Sequence, residues 1–185
     1  MKKTIFPFFF FLIAISCQGQ ENRFSLYGGW SNANIEDVAN SANGWRIGGL
    51  YEYIPWKSKF SHGFSFGYIG LTTDSSGITG KSTYDIGSIP LYYAPKYSFG
   101  KEKIQAFLKG ALGVQFSSLK KNYPTGGSIK SNDFGFALGA GAGLSLFLNE
   151  KLFLTGEYEL LWVSNSFYRD GLINSALIGI GMRLK

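Results

Sequence analysis

Residues 134–147 read Phe-Gly-Phe-Ala-Leu-Gly-Ala-Gly-Ala-Gly-Leu-Ser-Leu-Phe. Phe134, Phe136, Leu138, Ala140, Ala142, Leu144 and Leu146 share one parity. Gly135, Ala137, Gly139, Gly141, Gly143 and Ser145 share the other. Successive strand residues point to opposite faces, so this is one strand with a broad apolar face and a face of nearly bare backbone. A soluble sheet turns its bulky face into a core. Here the small face suits the crowded side, the inside of a narrow closed sheet, and the bulky face is left to meet hydrocarbon.

The rest of the chain fits that environment. Charged residues make up 16%, well under the roughly one quarter usual for soluble domains. Aromatics reach 17% and there are 25 glycines. Beyond the N-terminal segment no run approaches the ~20 apolar residues a membrane helix needs. The 185 residues suffice for one domain. The formal charge of +6 falls to +4 without Lys2 and Lys3. The remaining cations are scattered rather than striped, which argues against a nucleic-acid partner.

Met1-Lys2-Lys3, the apolar run 5–15 and Cys17-Gln18-Gly19 form a charged, an apolar and a small-residue region in the order of a secretory signal peptide. The expected division is a removed signal peptide over 1–20 and one barrel domain over 21–185. Ala14-Ile15-Ser16-Cys17 is also a weak match to a lipidation site. Either way Cys17, the lone cysteine, stands outside the folded domain and no disulfide is possible.

From Arg23 onward, alternating segments predict eight strands at 24–30, 44–54, 60–72, 82–99, 104–117, 134–147, 152–163 and 172–184. Pro90 and Pro95 predict a bulge or bend in the fourth, where the face assignment can slip by one residue. Connections alternate. Long polar stretches begin near Ser31, Thr73, Ser118 and Ser164, and short ones near Pro55, Gly100 and Asn149. Aromatics gather at strand ends: Phe24, Tyr53, Trp56, Phe60, Tyr97, Phe147 and Phe153 at one rim, Trp30, Trp45, Tyr68, Tyr84, Phe134 and Trp162 at the other. Interfacial girdles are expected there.

On this pattern, and on the runs Ser88-Ile89-Pro90-Leu91-Tyr92-Tyr93, Tyr97-Ser98-Phe99-Gly100 and 107–114, the mature chain resembles the small OmpA/OmpX-type outer-membrane β-barrel family. The resemblance implies an all-β, eight-stranded antiparallel up-and-down transmembrane β-barrel in the outer membrane, with short periplasmic turns and long extracellular loops. Family members usually end on an aromatic residue, whereas this sequence ends Met182-Arg183-Leu184-Lys185, a weaker insertion signal.

Eight strands enclose a lumen just wide enough for side chains to fill, whereas open channels need about 16 or more. The parity assignment turns Arg46, Glu52, Asp85, Lys109, Glu157, Glu159 and Arg183 inward. Buried charges are costly unless paired, so ion pairs across the lumen are expected, Lys109 with Glu157 and Arg46 with Glu159. These would form a plug of side chains.

His62, the single histidine, falls on the outward parity without a neighbouring serine–acid motif, so no catalytic residue is assigned. The Gly139/Gly141/Gly143 run lacks the strand–turn–helix context of a nucleotide site. No cofactor is expected. One histidine and one cysteine make a metal site improbable, and Asp37, Asp74 and Asp133 are isolated in loops. The expected role is a structural or surface-interaction barrel, monomeric and non-enzymatic. Its expected partners are outer-membrane lipid, lipopolysaccharide near Lys120, Lys121 and Lys130, and an extracellular partner met through the loops. The alternatives are a lipid-modifying barrel enzyme and a soluble lipocalin-like barrel with its apolar face inside.

Overall fold

The computed structural model describes residues 21–184 apart from Asp37, Ala39, Asn40, Lys57, Ile78, Thr79, Glu102 and Thr125. The signal peptide expected over 1–20, with Cys17, and the loop residue Asp37 lie outside the described residues. Nine strands follow one another: β1 (Glu21–Ile35), β2 (Ser41–Ile54), β3 (Phe60–Gly77), β4 (Gly80–Tyr93), β5 (Lys96–Gly100), β6 (Ile104–Asn122), β7 (Ser128–Phe147), β8 (Leu152–Val163) and β9 (Tyr168–Leu184). All pairings are antiparallel; apart from β4 and β5, which do not pair with each other, strands consecutive in the chain are paired, and β9 pairs with β1, which closes the ring. β4 and β5 share one place in the wall, since both pair with β3 on one side and β6 on the other. The barrel therefore has eight wall positions. Among the described residues no helix is long and apolar enough to cross a membrane; strands do the crossing.

Closure follows from the backbone. Hydrocarbon offers no hydrogen bonds, so a spanning sheet must leave no edge. The faces sort as the alternation requires: Leu108, Leu138 and Ile178 are 57%, 56% and 76% exposed, while Arg46 and Leu161 are 0% exposed. The bare face of β7 is covered from inside. A Cβ on Gly143 would collide with the Gly156 carbonyl and the Phe107 ring. Gly100 ends β5 at φ +124°, a backbone conformation that other residues rarely adopt.

Two features depart from the sequence expectation. First, the strands run further on the extracellular side. Most of 31–43, 73–81 and 118–132, expected as loops, is paired ladder; only 36–40, 78–79, 123–127 and 164–167 connect strands there. Asn, Ser and Thr in these stretches signal water rather than irregular chain. Their side chains bond across the hairpins: Ser41 Oγ donates to Asn34 Oδ1 (2.7 Å), Asn32 Nδ2 to Asn43 Oδ1 (3.1 Å) and Thr83 Oγ1 to Asp74 Oδ1 (2.8 Å). Second, the prolines cause a break without a slip. The ladder to β3 lapses across Ile89 and Pro90, which has no N–H to give. Strand geometry ends at Ala94-Pro95, yet the register with β3 is the same before and after (Phe64↔Tyr93, Phe60↔Tyr97). Ala94 N donates to Gly63 O (2.8 Å) and Gly110 N to Pro95 O (2.8 Å), which carries the wall across the gap.

An arginine on the lipid face near mid-barrel should be costly. L112R, at an outward position 62% exposed, is expected to lose about 2–4 kcal/mol in urea unfolding from lipid vesicles. An equally stable variant would mean that this face does not meet hydrocarbon.

Candidate functional site

The inward side chains form layers from the periplasmic end upward. At the bottom, Arg23 on β1 stands in register with Arg183 on β9. Like charges in that position repel. Glu21 Oε1 accepts from Arg23 Nε at 2.5 Å and forms an ion pair with Arg183, 2.9 Å from its Nε, and both guanidinium groups lie over the Phe147 ring at 5.0 and 4.2 Å. Phe147 and Phe153 are buried inside the barrel, 5.3 Å apart, rather than in the girdle expected for them. Tyr84 is likewise buried inside, at the other end. Arg183 is on the inward parity, but its side chain remains 28% exposed at the mouth.

Above this layer, Lys96 Nζ lies 2.6 Å from Glu52 Oε1, and Ser61 Oγ donates to the same oxygen at 3.0 Å. At the centre, Lys109 Nζ bridges Glu157 and Glu159, 2.6 Å from Glu159 Oε2. Arg46 Nη1 donates to Glu159 Oε1 (2.6 Å) and Arg46 Nη2 to Tyr92 Oη (2.7 Å); Tyr92 Oη in turn donates to Glu159 Oε2 (2.8 Å). Glu159 therefore accepts from an arginine, a lysine and a tyrosine while fully buried. Arg46, Lys96 and Lys109 balance Glu52, Glu157 and Glu159, so this inner cluster is electrically neutral.

Higher still, Ser88 Oγ meets Ser117 Oγ (2.8 Å) and Tyr168 Oη (2.9 Å), and Ser31 Oγ meets Ser175 Oγ (2.8 Å). The extracellular third is apolar: Ile69, Leu71, Ile86, Leu161, Val163 and Ile173 are all buried together. Val38 and Phe167 are buried at its top. Arg169 Nη2 donates to Val38 O (2.6 Å) and Glu36 N to Phe167 O (2.9 Å). A cavity of about 10 Å³ lies among Ser25, Lys96, Phe107 and Glu157, about the space of one water.

Of the seven inward ions expected from parity, Glu52, Arg46, Lys109, Glu157 and Glu159 meet inside the barrel, and Arg183 stays at the mouth. Asp85 is a correction. The expected slip at Pro90 does not occur, so β4 keeps Tyr84, Ile86, Ser88 and Tyr92 inward and turns Asp85 out. There Asp85 Oδ1 accepts from Thr72 Oγ1 (3.0 Å) and Oδ2 from Asn122 Nδ2 (3.2 Å). The same unbroken parity brings in Lys96, which the sequence reading missed because Pro95 precedes it. Arg23 was also missed, although it shares the parity of Ser25 and Tyr27.

His62 points outward. Its Nδ1 is 2.7 Å from Tyr93 Oη, and the Phe60 ring is 5.0 Å away. Among the described residues no three His, Cys, Asp or Glu side chains group to hold a metal. Asp74 pairs with Lys81 (2.9 Å). Asp133 accepts from the Ser166 hydroxyl (2.6 Å) and amide (2.7 Å), and those bonds hold its carboxyl below the usual carboxylate range.

A family model described as outer membrane protein beta-barrel domain matches residues 7–183. No curated protein matches the chain. Among solved structures, the chain is similar to Ail, the attachment invasion locus protein of Yersinia pestis, at 16% identity and TM-score 0.62, covering 90% of this chain and 100% of that one. It is similar to Neisserial surface protein A at 13% and 0.59, covering 90% and 98%. It is also similar to OprG from Pseudomonas aeruginosa at 15% and 0.53, covering 88% and 96%. At these identities the likeness is one of fold.

Removing the shared acceptor should leave Arg46 and Lys109 short of counter-charge. E159Q is expected to cost about 3–5 kcal/mol in vesicle unfolding, and K81A at the solvent-exposed Asp74 pair far less; equal costs would mean that the central cluster is hydrated. The Asp133 bonds carry a pH signature. A lowered folded pKa gives stability that is complete above the unfolded value, about 3.9, and lost as pH falls through the lower folded value. The Ser166 amide resonance should therefore hold its shift to pH 4 and move only below it. Movement centred at or above about 4 would contradict this.

Proposed function

The chain belongs to the outer membrane protein β-barrel domain family, and from that premise we propose that it is a plugged, monomeric, non-enzymatic barrel that works as a structural and surface-interaction protein. The observation that carries the plug is the neutral buried cluster of Arg46, Lys96, Lys109, Glu52, Glu157 and Glu159 beneath an apolar cap. An ion crossing would have to break pairs that hydrogen-bond one another and then pass a layer made mostly of aliphatic side chains, with few polar groups to replace its water.

Several observations support the remaining parts. A closed ring has no unpaired strand edge to recruit another copy, which favours a monomer. The histidine is partnered by Tyr93 on the outer face, which favours a non-enzymatic role over a lipid-modifying one. Export through residues 1–20 rests on the sequence pattern alone. A structure of Ail, 15% identical at TM-score 0.60, holds the heparin analogue sucrose octasulfate. Only the broader idea of surface interaction carries over to this chain; lipopolysaccharide as a partner rests on the outer-membrane reading and the lysines of the extracellular hairpins.

Fractionation and planar-bilayer recording test the reading together. The protein should sit in the outer membrane, migrate anomalously without boiling and give no steady current. A steady ion-selective current would overturn the plug. Recovery in the soluble fraction without detergent would overturn the membrane barrel and favour the lipocalin-like alternative.

A further inference from the structure

Where β3, β4, β6 and β7 pass the extracellular aromatic rim, their outer face is hollowed into a groove of about 860 Å³. The end nearer mid-membrane is apolar, made by exposed Tyr68, Ile89, Phe116 and Phe134, with the two phenyl rings 4.9 Å apart. The middle is hollow because Gly87, Ser118 and Asn132 are short. At the far end Lys120 and Lys130 face each other directly in the β6–β7 register. They stand four residues beyond Phe116 and Phe134, about 13 Å along the strands.

Two lysines opposite each other in an antiparallel ladder repel, and nearby groups offset that repulsion only in part. Asp85 is the cross-strand neighbour of Lys120 and offsets part of its charge, while its oxygens accept from Thr72 and Asn122. Asp133, at the groove edge, accepts from Ser166. Lys121 is on the opposite parity and lies over the Tyr84 and Tyr123 rings at 4.9 and 5.2 Å. Among the described residues neither Lys120 nor Lys130 has an ion pair with a carboxylate. A phosphoryl group, carrying about two negative charges near neutral pH, would relieve the pair, and acyl chains attached to it would reach the apolar end.

We propose that this groove is a binding site for a phosphorylated, acylated glycolipid of the outer leaflet, the lipid A part of lipopolysaccharide. The phosphoryl group sits between Lys120 and Lys130, and acyl chains lie along Phe116, Phe134, Ile89 and Tyr68. The site rests on the outer-membrane reading above and adds to it a place and a chemistry.

Native mass spectrometry of the full chain refolded in detergent tests the site, with bisphosphorylated lipid A, phosphatidylglycerol and inorganic phosphate titrated separately. One lipid A should be retained, with phosphatidylglycerol and inorganic phosphate each at least about tenfold weaker. K120Q/K130Q should weaken lipid A by about tenfold or more, from two near-membrane cations. K101Q/K151Q, which removes the same charge at the periplasmic turns, should leave it unchanged. Three outcomes would overturn the site: unchanged binding in K120Q/K130Q, an equal loss in K101Q/K151Q, or phosphatidylglycerol or phosphate binding as tightly as lipid A. Outer-membrane fractionation of the native chain and of K120Q/K130Q separates the two readings. Its failure in the native chain strikes the barrel assignment, and its success with unaltered lipid A binding strikes the groove alone.

Discussion

In hydrocarbon every backbone amide must find its partner within the protein. The ring from β1 to β9 is one solution that leaves no edge, and it sets the interior problem. Eight wall positions enclose a narrow space, and alternation sends every second side chain into it. Bulk inside has to be rationed, hence the Gly and Ala on the inner face of β7 beneath Phe107 and Glu157. Polarity inside has to be neutralised, hence three cations matched to three carboxylates.

The interior is graded rather than uniform. Guanidinium groups over phenyl rings stand at the periplasmic mouth, ion pairs at the centre, hydroxyls above them and aliphatic side chains under the extracellular turns. The Arg23 and Arg183 pairing shows how such a gradient tolerates adverse register. The two cations meet because β1 and β9 must close, and Glu21 with the Phe147 ring makes the meeting tolerable. A buried ion pair is weak evidence for net stability. Its clearer role here is to fix which side chains face each other across the lumen.

The wall was legible from the sequence because a period of two is a strong signal over long strands. Leu108, Leu138 and Ile178 face out and Lys109, Glu157 and Glu159 face in, as alternation alone requires. The errors cluster where a local signal was given more weight than the ladder. Pro90 suggested a slip, which misplaced Asp85 and hid Lys96; the neighbouring strands held the register through both prolines. Asn- and Ser-rich stretches suggested loops, which hid Ile35, Val38 and Tyr168 of the apolar cap, because apolar residues are sparse there and gather only when the hairpins converge. Phe147 and Phe153 lie at strand ends, where aromatic residues usually meet the interface, but their parity was inward and parity prevailed.

The sheet continues past the hydrocarbon as paired hairpins and reaches Ile35, Gly77, Asn122 and Ser128 before the chain turns. A molecule arriving from outside therefore meets a stiff lattice whose side-chain spacing is already set. Docking on such a surface loses little chain freedom, so affinity is governed by which groups occupy the fixed positions. Substitutions there exchange chemistry at a constant address, which lets one scaffold present many different faces to its surroundings without refolding.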